Sequence, residues 1–203
     1  MYRGWLRHPL LHFLSHPLIT CDPVTLYLDV MQTARLHLRP VVYGDAARIA
    51  VLAGDWDVAS MTGRIPYPYS EDAAHHWVSG LVEREEVFGI EYQSELIGIC
   101  GFTRHPNGDA ELGYWIGKPY WSRGFATEAA SAVMTYGFTK IGVRRFLCKH
   151  LAENPASARV IRKLGFRYIG NGSGWCEARQ CELPTLTYER RRPWTMSIRA
   201  LAS

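Results

Sequence analysis

An alternating strand pattern over 110–117 is joined to a helical pattern from Ala129 onward by one short turn, Tyr120-Trp121-Ser122-Arg123-Gly124-Phe125-Ala126-Thr127-Glu128. A chain that runs strand, tight turn, helix brings the start of that helix to the edge of a sheet. Gly124 supplies the backbone freedom the turn needs, and Ala126 is small enough to let another group reach the main chain. Successive N–H groups at such a helix start point outward. With the helix dipole they form a concavity that suits a pyrophosphate without a lysine. Arg123 could add a charge contact. The same residues also allow a plainer reading, a tight turn ahead of a surface helix.

On either side of this turn the hydrophobic period switches repeatedly between two and 3.6 residues. Residues 35–39 alternate as a strand that Pro40 ends, and Asp45 is placed to cap a helix over 46–54. Ser70 is a second N-cap, with Glu71 and Asp72 in the positive first turn and Ala74, Trp77, Val78 and Leu81 on one side. Strands follow at 87–92, 96–103 and 110–117, separated by Gln93-Ser94-Glu95 and by a turn containing Asn107-Gly108, so they read as an antiparallel meander. A helix carries Ala129, Ala132, Val133 and Tyr136, and a strand covers 145–151. Asn154-Pro155 opens a further helix that Gly165 closes. The last strands are expected at 166–169 and 184–189, with the glycine-rich stretch from Gly170 to Gly174 as the loop between them. This order predicts an α/β (α+β mixed) domain built on one mixed sheet.

Composition narrows the partners. The 203 residues carry a net charge of +4, too mild to mark a dense polyanion binder, so nucleic acid is not an expected partner. The run Arg190-Arg191-Arg192 keeps RNA or ribosome association as an alternative. No apolar run approaches the roughly 20 residues that span a bilayer, so no membrane partner is expected. Five cysteines without regular spacing suggest a reducing, cytoplasmic setting and no metal site. Residues 1–30 read as an N-terminal extension and 31–203 as the domain. His8, Pro9, His12, His16 and Pro17 break the apolar run of that extension, so it does not resemble a signal peptide. A docking arm and sequence upstream of a start at Met31 both stay open.

Two familiar phosphate-binding patterns are missing. There is no Gly-x-x-x-x-Gly-Lys-Ser/Thr, and Gly170-Asn171-Gly172-Ser173-Gly174 is not followed by a third motif glycine and a helix. Instead, residues 120–129 resemble motif A of the GNAT superfamily of N-acetyltransferases, nearest its ribosomal-protein RimJ/RimL branch. Trp121 stands at the first position of the Arg/Gln-x-x-Gly-x-Gly/Ala pattern, and Ser122 stands where the branch commonly has glycine. Thr33 to Pro40, Ile65 to Tyr69 with Glu71-Asp72-Ala73, Ala110 to Ile116, and Asn154 to Phe166 resemble the branch in the same order.

The resemblance implies a GNAT fold, with a central, mostly antiparallel mixed sheet of about seven strands flanked by helices. It implies acetyl-CoA as cosubstrate, held between two splayed strands. Trp115, Ile116, Ser122, Arg123, Gly124, Phe125, Ala126 and Thr127 would line its path, and Asn154 would meet the pantetheine arm. Glu111 is the implied base, with Asp109 as the rival carboxylate. Ser157 matches the serine proposed to assist thiolate departure in RimL-like proteins, and Ile161 occupies the position where many relatives carry a tyrosine acid. Tyr67, Tyr69 and Trp175, in the loops at 64–69 and 171–181, are candidates to line an acceptor pocket, or to serve as lids on a core. Cys100 and Cys148 read as buried small hydrophobes, with a thiol nucleophile as the minor alternative. The expected reaction is direct attack on acetyl-CoA by a primary amine, either a protein N-terminus or a small molecule. Ser122 and Ile161 motivate the alternative of a non-catalytic acyl-CoA-binding module. A homodimer is left open.

Overall fold

Polar turns between apolar runs fold the first half of the sheet into hairpins. The computed structural model describes residues 30–82 and 84–194, so apart from Val30 the expected 1–30 extension lies outside the described residues. The strands are β1 (Met31–Gln32), β2 (His37–Pro40), β3 (Glu85–Tyr92), β4 (Glu95–Arg104), β5 (Asp109–Ile116), β6 (Arg145–Leu151), β7 (Arg167–Cys176) and β8 (Cys181–Arg191). The helices are α1 (Ala46–Ala53), α2 (Trp56–Ala59), α3 (Glu71–Ser79), α4 (Phe125–Tyr136) and α5 (Pro155–Lys163). A wider π turn, Gly137–Ile141, extends α4.

The eight described strands form one sheet in the order β1-β2-β3-β4-β5-β6-β8-β7. Among the described residues, β5 and β6 make the one parallel pairing; every other neighbour is antiparallel. The expected meander is β3-β4-β5. Its first turn places Gln93 and Ser94 at φ 52° and 65°, the left-handed pair that matches the twist of a tight hairpin. Helices cover both faces. Leu112, Phe125, Ala129, Val133, Phe146 and Ile161 belong to one core beneath α4 and α5. Ala46, Ile49, Ala74, Val87, Leu96 and Ile99 form a second core beneath α1 and α3. Cover on both faces explains why β3 and β4 are buried almost throughout instead of alternating.

The structure corrects four local readings. The sheet has eight strands rather than about seven, because a two-residue edge strand precedes β2. The short helix α2 had no periodic signal to reveal it. The stretch from Gly170 to Gly174 is not a loop: it continues β7, paired residue by residue with β8 beyond a bulge near Ile169. Glycine, asparagine and serine disfavour strands, but as an edge strand β7 needs only one neighbour to hold it. Finally, Asp45 does not cap α1 with its side chain. Its carboxylate accepts two N–H bonds from Arg39, at 2.7 and 2.8 Å, and one from the Val42 amide at 2.9 Å. Arg39 also donates to Glu91 at 2.7 Å, so one guanidinium joins β2, β3 and the entry to α1.

Burial alone would raise the Asp45 pKa, but the bonds from Arg39 and Val42 outweigh it and hold the carboxyl below its usual range. A group depressed in the fold stabilises at neutral pH, and that contribution is lost as pH falls through its folded pKa. Asp45→Ala should therefore cost roughly 2–4 kcal/mol at pH 7. In urea titrations the gap to the wild type should close as pH drops well below about 3.9.

Candidate active site

The site begins where a strand pairing ends. β5 and β6 are paired over Asp109 to Leu112 and Arg145 to Cys148, and no further. Beyond this point β5 stays on β4, with Trp115 opposite Ile99 and Ile116 opposite Gly98. β6 stays on β8, with Lys149 opposite Thr187 and Leu151 opposite Thr185. Each strand follows its outer neighbour, and a wedge opens between 113–116 and 149–151.

The strand-turn-helix segment closes one end of this wedge. Ser122 and Gly124 both take left-handed φ values, 61° and 81°, and no side chain caps α4. The first N–H groups of a helix lack intrahelical partners, so the amides of 125–127 stand available at an exposed turn. The Trp121 indole donates to the Ile116 carbonyl at 2.6 Å, which fixes the turn against the end of β5. Glu128, in the first turn of α4, accepts from Thr33 Oγ1 at 2.6 Å, from the Arg35 amide at 2.9 Å and from Arg35 Nε at 2.8 Å. Arg35 also donates to the Arg123 carbonyl at 3.0 Å. These contacts pin the turn from behind with its amide side left open.

The side chains of the implied cofactor set do not all face this wedge. Phe125 is a core residue, 2% exposed, and Ile116 is buried in the same core. Trp115 packs in the second core. These three residues therefore offer main chain rather than side chain. Arg123 lies over the rings of Tyr92 and Phe125, at 4.7 and 4.8 Å, and donates to the Tyr92 hydroxyl at 3.0 Å. Ser122 lies at the turn itself, while Ala126 and Thr127 lie in the first turn of α4, with Ala126 packed against the larger core.

Opposite this turn, α5 starts as its sequence dictates. Asn154 Oδ1 accepts from the Ser157 amide at 2.9 Å, and Pro155 follows at the first helical position. The other end of the Asn154 amide donates to the Met61 carbonyl at 3.2 Å, which ties α5 to the loop after α2. Ser157 Oγ lies 2.9 Å from the hydroxyl of Tyr114 on β5. Tyr114 was missed in the sequence, where its only signal was an aromatic in a strand. Its partner lies 43 residues away.

Glu111 has its oxygens 3.6 Å from Arg64 and 3.4 Å from Lys149, and its side chain is 23% exposed. Side chains alternate along a strand, so Glu111 and Tyr114 leave β5 on opposite faces. Glu111 and Ser157 therefore flank the wedge from opposite sides. Asp109 is spoken for: it accepts from Arg145 at 2.5 Å and from Asn107 at 2.9 Å, and Arg145 above all holds its carboxyl below the usual range. These bonds commit its carboxylate to Asn107 and to Arg145 on β6. Cys100 and Cys148 are fully buried, and burial pushes both thiols up, Cys148 to about 12, far from an activated nucleophile.

The expected acceptor residues divide. Tyr67 is half exposed and meets Trp56 edge-on at 4.9 Å. Trp175 is also half exposed, on strand β7 rather than in a loop. The two segments meet where Glu177 N–H donates to the Gly63 carbonyl at 3.1 Å. Tyr69 is partly buried against the second core, and burial raises its pKa to about 12. The basic run at the end of β8 is partly engaged as well. Arg190 donates to the Leu164 carbonyl, and Arg191 lies 3.7 Å from Glu189.

The sheet thus parts between two parallel strands, with an uncapped helix start at the parting. The family model that matches is the acetyltransferase (GNAT) domain, over residues 35–167. The uncharacterized N-acetyltransferase YoaA of Bacillus subtilis (strain 168) is 31% identical over 149 residues, 70% of this chain and 84% of its own length. The uncharacterized N-acetyltransferase p20 of Bacillus licheniformis is 29% identical over 152 residues, 70% of this chain and 85% of its own. The structure of RimL, a ribosomal L7/L12 alpha-N-protein acetyltransferase, in complex with coenzyme A superposes with a TM-score of 0.72 at 21% identity. It covers 80% of this chain and 98% of that one. The chain belongs to the GNAT acetyltransferase family, and it is an acyltransferase with the general acetyl-CoA-dependent activity of that family.

A Cβ at Gly124 would meet only the end of the flexible Arg35 side chain, at 3.5 Å, so substitution there is limited by φ and not by space. Gly124→Ala should lower stability by about 1 kcal/mol, the cost of a left-handed residue with a Cβ. Urea midpoints of the two proteins measure it.

Proposed function

We propose that this enzyme transfers the acetyl group of acetyl-CoA to a primary amine by direct attack within a ternary complex, and that it belongs to the RimJ/RimL-like branch. The observation that carries this reading is the wedge between β5 and β6, with free amides at one end and Glu111 and Ser157 on opposite faces. The amides of 122–127 would take the pyrophosphate, because a helix start with left-handed residues before it gathers N–H groups toward an anion. The pantetheine arm would lie along 113–116, with the Asn154 segment on its far side.

Direct transfer needs a neutral amine, a fixed carbonyl and help for the departing sulfur. The amine nitrogen forms the new C–N bond and gives one proton to Glu111, directly or through water. The C–S bond breaks with its electron pair going to sulfur, beside the Ser157 hydroxyl. An α-amino group has a pKa near ~8 and a lysine near ~10.4, so a single modestly placed carboxylate suits a protein N-terminus or a similarly weakly basic small amine. Tyr67 and Trp175 would flank the acceptor's approach. A cytoplasmic setting belongs to the same proposal, supported by five cysteines without framework spacing.

Calorimetric titration with acetyl-CoA, followed by thiol-release assays on α-amine peptides and small amines, tests this reading. Saturable binding that Gly124→Glu abolishes is expected, with turnover on at least one amine class. Glu111→Gln should bind acetyl-CoA normally and turn over about 100-fold more slowly. Binding without turnover on any amine would favour the acyl-CoA-binding module. No binding would overturn the reading altogether.

A further inference from the structure

We propose that Tyr114 is a positioning residue for Ser157, its phenolic hydroxyl donating to Ser157 Oγ so that the serine proton is aimed into the wedge between β5 and β6. This inference rests on the acetyl-transfer reading above.

Tyr114 lies on the face of β5 that packs against the larger core, partly buried beside it. A buried tyrosine hydroxyl needs a partner for its proton. Among the described residues two oxygens are in reach, and both belong to Ser157: Oγ at 2.9 Å and the main-chain carbonyl at 3.4 Å. The shorter contact has normal hydrogen-bond length, and the longer one is weak. A phenol is a better proton donor than an aliphatic hydroxyl, and burial keeps Tyr114 protonated by pushing its pKa up. Ser157 Oγ therefore accepts, and its own proton is left to point elsewhere.

Two fixed elements set that direction. The Ser157 backbone is held by the Asn154 cap, with the amide bonded at 2.9 Å, and Tyr114 is fixed by its place on β5. Tyr114 also lies within 113–116, the stretch of β5 left without a β6 partner. The hydroxyl pair thus spans from β5 to α5 alongside the wedge. During transfer, the electron pair of the breaking C–S bond moves to sulfur, which the Ser157 O–H then meets with a hydrogen bond. The amine proton goes to the Glu111 side. Tyr114 and Ser157 both keep their protons, and the thiolate takes one from water on release. A hydrogen bond received from Tyr114 makes the Ser157 O–H a stronger donor, the cooperative effect of a chain of hydroxyls.

The test is a double-mutant cycle on the full chain with Tyr114→Phe, Ser157→Ala and the double variant, assayed on the best amine found for the wild type. Phenylalanine keeps the ring in place, and thermal denaturation with acetyl-CoA titration checks fold and binding. Tyr114→Phe should lower kcat roughly tenfold, the loss of one oriented hydrogen bond, with the KM for acetyl-CoA changed less than twofold. In the Ser157→Ala background the same change should cost less than twofold. Equal losses in both backgrounds would show that Tyr114 acts through packing and would overturn the inference. So would full activity of Tyr114→Phe, with the acetyl-transfer reading left intact. Absence of turnover by the wild type overturns that reading, and this inference with it.

Discussion

The whole site depends on a parallel pairing that stops early. β5 and β6 share four register pairs and then separate, each held by its antiparallel neighbour. A continuous sheet would satisfy every main-chain group along these strands and leave no room for a ligand. The parting exposes a strip of β5 beyond Leu112 and aligns it with the start of α4. Catalytic groups need not be clustered in sequence for such a site. They need only lie on the elements that border the gap, as the two proposed groups, Glu111 on β5 and Ser157 on α5, do.

Keeping that gap in shape falls to polar contacts behind it. Glu128 binds Thr33 and Arg35, so the first turn of α4 is moored to the segment between β1 and β2. Arg35 and Arg123 both lie on the Phe125 ring, at 4.7 and 4.8 Å, while Phe125 itself is sunk in the core. An arginine that reads as a phosphate contact thus also stabilises the turn that presents the amides. Asn154 does similar double service, capping α5 and holding the loop that leads to Tyr67. Removing either residue would move main chain as well as delete a side chain.

Features fixed by local chemistry were legible in the sequence. Ser70 accepts from the Ala73 amide at 3.1 Å, as an N-cap should, and Asn154-Pro155 starts α5 for reasons contained within four residues. Gly165 ends that helix in the left-handed region. Features that depend on distant partners were not legible. Asp45 had the spacing of a helix cap, but Arg39 lies across the turn and takes the carboxylate instead. The glycine-rich half of β7 is a strand because β8 lies beside it, against its own propensity. Tyr114 gained its place only when β5 and α5 were brought together. Whether a loop aromatic such as Tyr69 packs inward depends on which face of the loop meets the core, and that too is set by distant partners.

In the proposed function, the free amides at the start of α4 grip the pyrophosphate of an acyl-CoA lying between β5 and β6. Amide-resolved NMR during titration with coenzyme A measures this most directly. The largest shifts are expected at the amides of 124–127, with a second group along 113–116 on β5. Saturating shifts located elsewhere, with these two stretches unmoved, would contradict it.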